Sequence, residues 1–261
     1  MTQPPPTVDL VVPVLNEVQA LEQSVHTLRE FLGNSFPYPW RIVVADNGST
    51  DGTREIAERL AEEFDDVRAF SLDQRGRGRA LRRAWTQSDA DIVAYTDVDL
   101  STELPALEKL CRAIHEDGYE IATGSRLMHE SRIKRGLKRD VISRCYNAFI
   151  KCVLFTRFSD AQCGFKAVSR RVVEELVPQV KDEAWFFDTE LLVLGEKQGY
   201  GIKDVPVVWI DDDDSRVKIV STAWEDIKGV MRLRMHLWSS DFRRSSQLAR
   251  RARRLPNGTS S

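Results

Sequence analysis

Residues 91–102, DIVAYTDVDLST, decide the fold of the chain. The apolar run over residues 91–96 is typical of a buried parallel strand, and Asp97-Val98-Asp99 follows it directly. Alternate residues of an ideal strand point to opposite sides, so both carboxylates can grip one ion only if the backbone turns where the strand ends. Carboxylate oxygens with few other protein ligands suit Mg²⁺ or Mn²⁺ completed by substrate phosphates. We therefore predict a metal site at Asp97 and Asp99, and the competing interpretation is a pair of solvated turn acids.

Two earlier strands end in polar residues in the same way. Residues 8–14, VDLVVPV, precede Asn16-Glu17, and residues 41–45, RIVVA, precede Asp46-Asn47. Ligands of open parallel sheets bind beyond the carboxyl ends of the strands, so the three polar clusters are expected to form one site. Asp46 ends its strand and is expected to accept a hydrogen bond from a nucleobase.

Helical and strand patterns alternate along the chain, which indicates βαβ units and an α/β fold with a mainly parallel central sheet. Further strands are predicted over residues 67–72, 120–123 and 205–210, and a loop over residues 160–168 leads into another. Helices are predicted over residues 18–32, 53–64, 80–87, 104–116, 132–155, 170–176, 189–198 and 219–252. The last of these is amphipathic, with apolar members Trp224, Ile227, Val230, Met231, Leu233 and Trp238.

Composition and charge limit the classes of function. The 261 residues are 42% hydrophobic and 30% charged, as in ordinary globular proteins, and the net charge of −2 argues against a nucleic-acid-wrapping protein. Residues 231–254 nevertheless hold eight arginines and one acid, which suits an anionic membrane surface. No run reaches the ~18 apolar residues of a membrane span, and the four cysteines lack zinc-site spacing. A reduced, cytoplasmic protein is expected, bound peripherally to the inner face of the cell membrane.

The basic segment over residues 75–80, RGRGRA, carries a further hypothesis. Its glycines allow close backbone approach and a helix follows, so it resembles a phosphate-binding loop, although a basic surface loop explains it nearly as well. Trp185, Phe186 and Phe187 are expected in the core.

Eight sequence blocks occur in the order of a known enzyme class. They are VVPVLNE, VVADNGSTDGT, RGRGRALRRA, YTDVDLST, GSR, DAQCGFKAVSR, FFDTELL and VPVVWIDDDDSRV. In this order the chain resembles the inverting GT-A glycosyltransferases, and among them the dolichyl- or polyprenyl-phosphate sugar synthases, in particular the dolichyl-phosphate β-glucosyltransferase-like branch. The similarity runs from about residue 8 to residue 220, and the last three blocks are the most specific.

The resemblance implies a GT-A, Rossmann-like fold over residues 8–218. Residues 8–125 would form the nucleotide-sugar half and residues 126–218 the acceptor half. Residues 219–254 would form amphipathic basic helices at the membrane surface, and residues 1–7 and 255–261 would be disordered ends.

The resemblance also assigns the candidate site residues. The nucleotide sugar is expected to contact Pro13, Asn16, Glu17, Asp46, Arg77, Asp97, Trp209 and Lys218. The catalytic set is expected to be Asp97, Asp99, Arg126 and Asp188, with Ser101 as a third metal ligand beside the two aspartates. The acceptor phosphate would meet Arg126, Arg139 and Ser143. The acceptor and sugar side would include Asp160, Gln162, Glu190 and Ser215.

The reaction implied is attack of a polyprenyl-phosphate oxygen on the anomeric carbon of a nucleotide sugar, with a UDP donor favoured over a GDP donor. The nucleophile is already an anion, so no strong general base is needed, and in-line attack would invert the donor to a β-linked product. One alternative is an enzyme of the same fold that uses a glycan or glycolipid hydroxyl, with Asp188 or Asp160 as base. A second alternative is a non-enzymatic nucleotide or membrane-surface module. A small membrane protein is expected as an additional partner, and nucleic acid is not.

Overall fold

The computed structural model describes residues 4–134, 137–210, 219–239, 242 and 246, apart from the side chains of 134, 137–139 and 219–223. The strands are β1 (Val8–Val14), β2 (Trp40–Asp46), β3 (Val67–Ser71), β4 (Ile92–Thr96), β5 (Ile121–Ser125), β6 (Arg132–Lys134), β7 (Phe165–Ser169), β8 (Ile202–Pro206) and β9 (Val208–Ile210). The helices are α1 (Leu21–Ser35), α2 (Thr53–Glu63), α3 (Arg77–Gln87), α4 (Ala106–His115), α5 (Leu137–Leu154), α6 (Arg170–Glu175), α7 (Phe187–Gln198) and α8 (Ile219–Trp238).

Seven strands form the central sheet in the order β3-β2-β1-β4-β7-β5-β8. All neighbouring pairs are parallel except those of β7, which runs antiparallel to both β4 and β5. β6 and β9 form a separate parallel pair. The predicted α/β fold with a mainly parallel sheet is confirmed, and the carboxyl ends of β1, β2 and β4 lie at one edge.

Helices cover both faces of the sheet. On one face, alternate strand residues such as Val12 and Ala94 pack with Leu28 of α1 and Leu110 of α4. On the other face, the intervening residues pack with α3 and with α5 to α8, as Tyr95 does in the cluster that contains Trp85 and Leu233. Each strand is buried on both faces, which is why the strand sequences are almost continuously apolar.

Three predicted elements differ from the structure. The helix predicted over residues 132–155 starts only at Leu137, because residues 132–134 form β6 and pair with β9. The single strand predicted over residues 205–210 is two strands, since the chain leaves β5 after Pro206 and pairs with β6 from Val208 onward. The helix predicted from residue 80 begins earlier, at Arg77.

Helix α8 packs against the rest of the fold along one face only. Val230, Leu233 and Leu237 are buried in the core shared with α5 and α7. The opposite face exposes Trp224, Ile227, Met231, Met235 and Trp238. Within the parts of the chain that the structure describes, no helix has the length and apolar character to span a bilayer.

Candidate active site

The turn after β4 presents Asp97 and Asp99. The Leu100 N–H donates to the Asp97 carbonyl at 3.2 Å, and the Ser101 N–H donates to Asp99 Oδ1 at 3.0 Å. Val98 points into the core, and its carbonyl accepts a hydrogen bond from Ser24 of α1 at 2.5 Å. The backbone therefore turns where the strand ends, as a shared ion site requires, and leaves Asp99 exposed.

Asp97 is held by Arg77, the first residue of α3. Arg77 Nη2 lies 2.5 Å from Asp97 Oδ1, and its guanidinium carbon lies 5.3 Å from the Tyr95 ring centre and 4.8 Å from that of Trp185. Burial raises the pKa of Asp97, and Arg77 opposes that shift. Part of the carboxylate remains open, since 31% of the Asp97 side chain is exposed. Trp185, expected in the core, is instead half exposed and stacks on Arg77.

A second ion pair joins Arg126, just after β5, to Asp160. Arg126 Nε donates to Asp160 Oδ2 at 2.7 Å, and its Nη2 donates to Oδ1 at 3.0 Å. Burial alone would raise the pKa of Asp160, but Arg126 outweighs it and brings the pKa to about 2. The Trp209 ring lies 5.1 Å from the Arg126 guanidinium. Asp160 is fully buried, and its carboxylate also accepts the backbone N–H of Gln162 at 3.1 Å.

A third ion pair, missed by the sequence reasoning, joins Lys166 of β7 to Asp188 of α7. Lys166 Nζ lies 3.3 Å from Asp188 Oδ1, which also accepts the Tyr95 hydroxyl at 2.5 Å. Lys166 is completely buried. The signal in the sequence was a charged residue inside an apolar strand, FKAVS, over residues 165–169.

The loops after β1 and β2 are tied together around Asp46. Asn16, at φ 56°, accepts the Thr50 N–H on Oδ1 at 2.9 Å, and its own N–H donates to Ser49 Oγ at 2.9 Å. Asp46 Oδ1 accepts the Ser49 N–H at 3.1 Å. Asp46 Oδ2 is buried and has no hydrogen-bond partner within the described chain. The Asp46 carboxylate therefore keeps one oxygen that no described protein donor satisfies.

Two further nucleotide-side candidates lie in this region. Pro13 is partly buried in β1 and pairs with Ala45 of β2. The Glu17 N–H donates to Thr53 Oγ1 at 2.8 Å, which links the β1 loop to the start of α2.

The phosphate-loop hypothesis for residues 75–80 is wrong as regards the backbone. The N–H groups of Gly78 and Arg79 donate to the carbonyls of Ala184 and Glu183 at 3.2 and 3.1 Å. The Gly76 N–H donates to Asn47 Oδ1 at 2.5 Å. These three amides therefore bind protein oxygens, and the part of the loop that contacts Asp97 is the Arg77 side chain.

Strand β9 brings Trp209 beside the Asp97–Asp99 turn. The Ile210 N–H donates to the Ser101 carbonyl at 2.9 Å, and the Glu103 N–H donates to the Val208 carbonyl at 3.1 Å. Trp209 is buried between this turn and Arg126. Ser215 and Lys218 lie outside the described residues, so their predicted roles stay predictions.

The remaining acceptor-side candidates connect the domain to its helices. Gln162 Nε2 donates to Asp226 of α8 at 2.8 Å, and Glu190 Oε2 accepts Arg232 of α8 at 2.7 Å. Ser143 lies in α5, and its hydroxyl is enclosed without a hydrogen-bond partner among the described residues. Arg139 lies one turn before Ser143 in the same helix, and its side chain is outside the described part.

The donor set at the turn suits a hard divalent cation. The described residues contain no group of three or more His, Cys, Asp or Glu side chains placed to hold a metal. Asp97 and Asp99 therefore offer two carboxylates, as suits an Mg²⁺ or Mn²⁺ whose other ligands are water and phosphate oxygens. The Asp97 carboxylate packs closely against Gly164, because a Cβ added at Gly164 would lie 2.6 Å from Asp97 Cγ.

Similarity to known proteins identifies the family of the chain. The profile of glycosyl transferase family 2 matches residues 9–177. The chain belongs to glycosyltransferase family 2. Glycosyltransferase AglD of Haloferax volcanii is 38% identical over 233 residues, which cover 88% of this chain and 37% of AglD. The chain thus spans little more than a third of that relative.

Other relatives match over more of their own length. The dolichyl-phosphate beta-glucosyltransferase of Saccharomyces cerevisiae is 25% identical, covering 87% of this chain and 73% of the yeast enzyme. The glucosyl-3-phosphoglycerate synthase of Mycobacterium tuberculosis, solved with UDP, has a TM-score of 0.67 and 21% identity, covering 90% of this chain and 82% of that one. The same enzyme with Mn²⁺, UDP and glucosyl-3-phosphoglycerate has a TM-score of 0.66. The GT-A fold and the assignment as a glycosyltransferase are confirmed, and the non-enzymatic alternative is set aside.

Proposed function

We propose that this glycosyltransferase transfers a hexose from a UDP-sugar to a polyprenyl phosphate with inversion, giving a β-linked lipid phosphate sugar at the cytoplasmic face of the membrane. The observation that carries the proposal is that three cations are each paired with one carboxylate of the site: Arg77–Asp97, Arg126–Asp160 and Lys166–Asp188. Such a site is poorly equipped to deprotonate a hydroxyl and well equipped to hold anions. A phosphate acceptor is already ionised and needs no base.

The donor's nucleoside is assigned to the loops after β1 and β2. The unpartnered Oδ2 of Asp46 fits a nucleobase N–H, such as N3–H of uracil, and Asn16 holds the loop that carries it. UDP is the nucleotide in the solved mycobacterial neighbour, which supports a uridine donor. Pro13 and Glu17 complete this end of the proposed site.

The donor's diphosphate is assigned to the turn after β4. Asp97 and Asp99 would hold the metal, with the Ser101 hydroxyl as a further oxygen; when bound, a divalent cation neutralises the charge that develops on the departing diphosphate. Arg77 pairs with Asp97 through Nη2, and its other guanidinium N–H groups would bind a phosphate oxygen. Trp209 and Lys218 are assigned to the donor and Ser215 to the sugar, and Ser215 and Lys218 lie outside the described residues.

The acceptor phosphate is assigned to Arg126, with Arg139 and Ser143 of α5. Asp160 fixes the Arg126 guanidinium by two hydrogen bonds, so the arginine is preorganised rather than free to swing. Gln162, whose N–H also donates to Asp160, and Glu190 are assigned to supporting the acceptor side.

The hydroxyl-acceptor alternative fits this geometry less well. Asp160 is fully buried and its pKa is about 2, which makes it a weak base. Asp188 Oδ1 is already engaged by Tyr95 and Lys166, so we assign Asp188 to orienting sugar hydroxyls rather than to accepting a proton.

The membrane surface is the partner proposed for the exposed face of α8. Trp224, Met231 and Trp238 lie on that face, and the Arg234 guanidinium lies 4.5 Å from the Trp238 ring and 5.0 Å from that of exposed Phe155. Tryptophan with arginine suits the headgroup region, where each basic residue contributes about 1 kcal/mol. A small membrane protein would add to this attachment.

Vesicle sedimentation tests this partner. Replacing Trp224 and Trp238 together by serine, or truncating after Ser240, should reduce binding to anionic vesicles while UDP binding is retained. Trp185→Ser removes a half-exposed tryptophan that is not part of α8 and should leave sedimentation unchanged. Equal sedimentation of all four proteins at low salt would contradict the assignment.

The transfer itself is tested by incubating the protein with UDP-glucose, UDP-GlcNAc, UDP-GalNAc or GDP-mannose, a short polyprenyl phosphate, and Mg²⁺ or Mn²⁺. Mass spectrometry should detect the polyprenyl phosphate carrying one added sugar, with a UDP donor preferred. A product only from GDP-mannose would overturn the uridine assignment, and no lipid product with any donor would overturn the proposed acceptor.

A further inference from the structure

Lys166 is a fully buried ammonium in the middle of the central sheet. Burying a charge is unfavourable unless it is paired and hydrogen-bonded, so a buried lysine at this position requires an explanation. Its strand, β7, lies between β4 and β5, and Lys166 is directly opposite Tyr95 in the antiparallel ladder with β4. Tyr95 is two residues before Asp97 in the chain.

The contacts of Lys166 connect it to the groups that hold Asp97 in place. Its Nζ donates to the Cys163 carbonyl at 2.5 Å and lies 3.4 Å from the Tyr95 hydroxyl and 3.3 Å from Asp188 Oδ1. The bond to Cys163 fixes the backbone immediately before Gly164. Gly164 in turn lies against the Asp97 carboxylate, since a Cβ there would overlap Asp97 Oδ2.

Asp97 is thus held from two sides. Arg77 binds Oδ1 on one side, and the Gly164 backbone supports Oδ2 on the other. The support on the Oδ2 side depends on Lys166, because its bond to the Cys163 carbonyl holds the backbone next to Gly164.

We propose that Lys166 is a positioning residue that fixes the Asp97 carboxylate for the metal-bound donor diphosphate, acting through Tyr95, Asp188 and the Cys163–Gly164 backbone. The inference rests on the proposed function in one respect, namely that a UDP-linked donor and a divalent cation meet at Asp97. Lys166 itself touches no substrate, because its side chain has no exposed surface.

The test compares UDP binding by calorimetry with and without Mn²⁺, which involves no acceptor and no turnover. Lys166→Met should retain UDP affinity in the absence of Mn²⁺ within about twofold, because the nucleoside loops are intact. The enhancement of UDP affinity by Mn²⁺ should fall at least about tenfold, the loss typical of a hydrogen bond to a charged group. General unfolding would instead lower both affinities.

Lys203→Met is the matched control. Lys203 lies in β8 with its Nζ 5.4 Å from the Tyr119 ring centre, much as the Lys166 Nζ lies 5.7 Å from that of Tyr95. Its Mn²⁺ enhancement should equal that of the wild type. Tyr95→Phe removes a single hydroxyl and should reduce the enhancement about threefold, and this variant decides the matter if Lys166→Met does not fold.

The outcomes distinguish the positioning role of Lys166 from the proposed metal-bound donor site. An unchanged Mn²⁺ enhancement in Lys166→Met, or in Tyr95→Phe where that variant decides, overturns the positioning role while leaving the proposed donor site standing. A wild-type protein whose UDP affinity does not respond to Mn²⁺ overturns the metal-bound donor site, and the positioning role with it.

Discussion

Replacing Gly164 with alanine would add one methyl group against the Asp97 carboxylate. The new Cβ would overlap Oδ2 and lie 2.6 Å from Cγ and 2.9 Å from Oδ1, so the carboxylate must move. Gly164 is not among the glycines with positive φ, which means that its backbone accepts alanine without conformational strain. The effect is therefore confined to the position of Asp97.

The magnitude follows from the bond that the movement disturbs. Displacing Asp97 weakens its 2.5 Å contact with Arg77, a charge-assisted pair for which ~1.5–3 kcal/mol is typical. The partly exposed Asp97 side chain can turn towards the open recess, so the fold should survive. We expect kcat/KM for the nucleotide sugar to fall roughly 10- to 100-fold, because each ~1.4 kcal/mol is a factor of ten.

The assay is steady-state transfer with the nucleotide sugar varied, alongside thermal unfolding. Gly195→Ala is the control, since its Cβ would lie 2.8 Å from Ile121 Cδ1 and 3.3 Å from Leu176 Cδ2, away from Asp97. That variant should lose some stability but keep its kcat/KM. Wild-type kcat/KM in Gly164→Ala would refute the placement of the carboxylate.

Three further predictions concern the same region and α8. Asp99→Asn should abolish most transfer with an unchanged melting temperature, because Asp99 is exposed on a turn; transfer that survives both this change and EDTA would contradict a metal at Asp97 and Asp99. Trp185→Ala should raise the donor KM about threefold at constant stability by removing the stack on Arg77, and an unchanged KM would count against that contact. Burial raises the pKa of Asp226 to about 6, so the folded state retains a proton that the unfolded chain releases near ~4, and stability should fall as pH rises from about 4 to 6. Asp226→Asn should remove on the order of 2 kcal/mol of this dependence in denaturant unfolding at pH 4.5 and 7, and identical pH dependence in the two proteins would argue against it.

The sheet and the location of the site could be predicted from local patterns. Strands buried on both faces show as apolar runs, and the polar residues that end β1, β2 and β4 lie at one edge because parallel strands share a direction. The turn at Asp97–Asp99 follows from the same reasoning. What the patterns lack is the antiparallel β7, whose insertion between β4 and β5 depends on pairs 69 to 77 residues apart with β4 and 43 to 47 residues apart with β5.

The ion pairs of the site could not be predicted from the spacing of residues in the sequence. Arg77 and Asp97 are 20 residues apart, Arg126 and Asp160 are 34 apart, and the Tyr95–Asp188 hydrogen bond spans 93 residues. The glycine-arginine loop shows the same limit. Its composition suggested a phosphate cradle, but the 183–184 segment binds two of its amides, a contact that only the tertiary fold creates.

Helix α8 was predicted as amphipathic, but its two apolar faces could not be separated from the sequence. Val230 and Leu233 face the core, whereas Trp224, Met231 and Trp238 face outward. The pattern contains more apolar residues than one stripe can hold, and only the packing against α5 and α7 shows which ones remain exposed.

The central claim is that the acceptor is a lipid phosphate, and a competition assay tests it most directly. A short polyprenyl phosphate, 3-phosphoglycerate and a sugar acceptor with free hydroxyls are mixed with one UDP-sugar, and the products are measured together by mass. We expect glycosylated polyprenyl phosphate to dominate, with kcat/KM at least about tenfold above either rival. Predominant transfer to 3-phosphoglycerate or to a sugar hydroxyl, with little or no lipid product, would contradict the account.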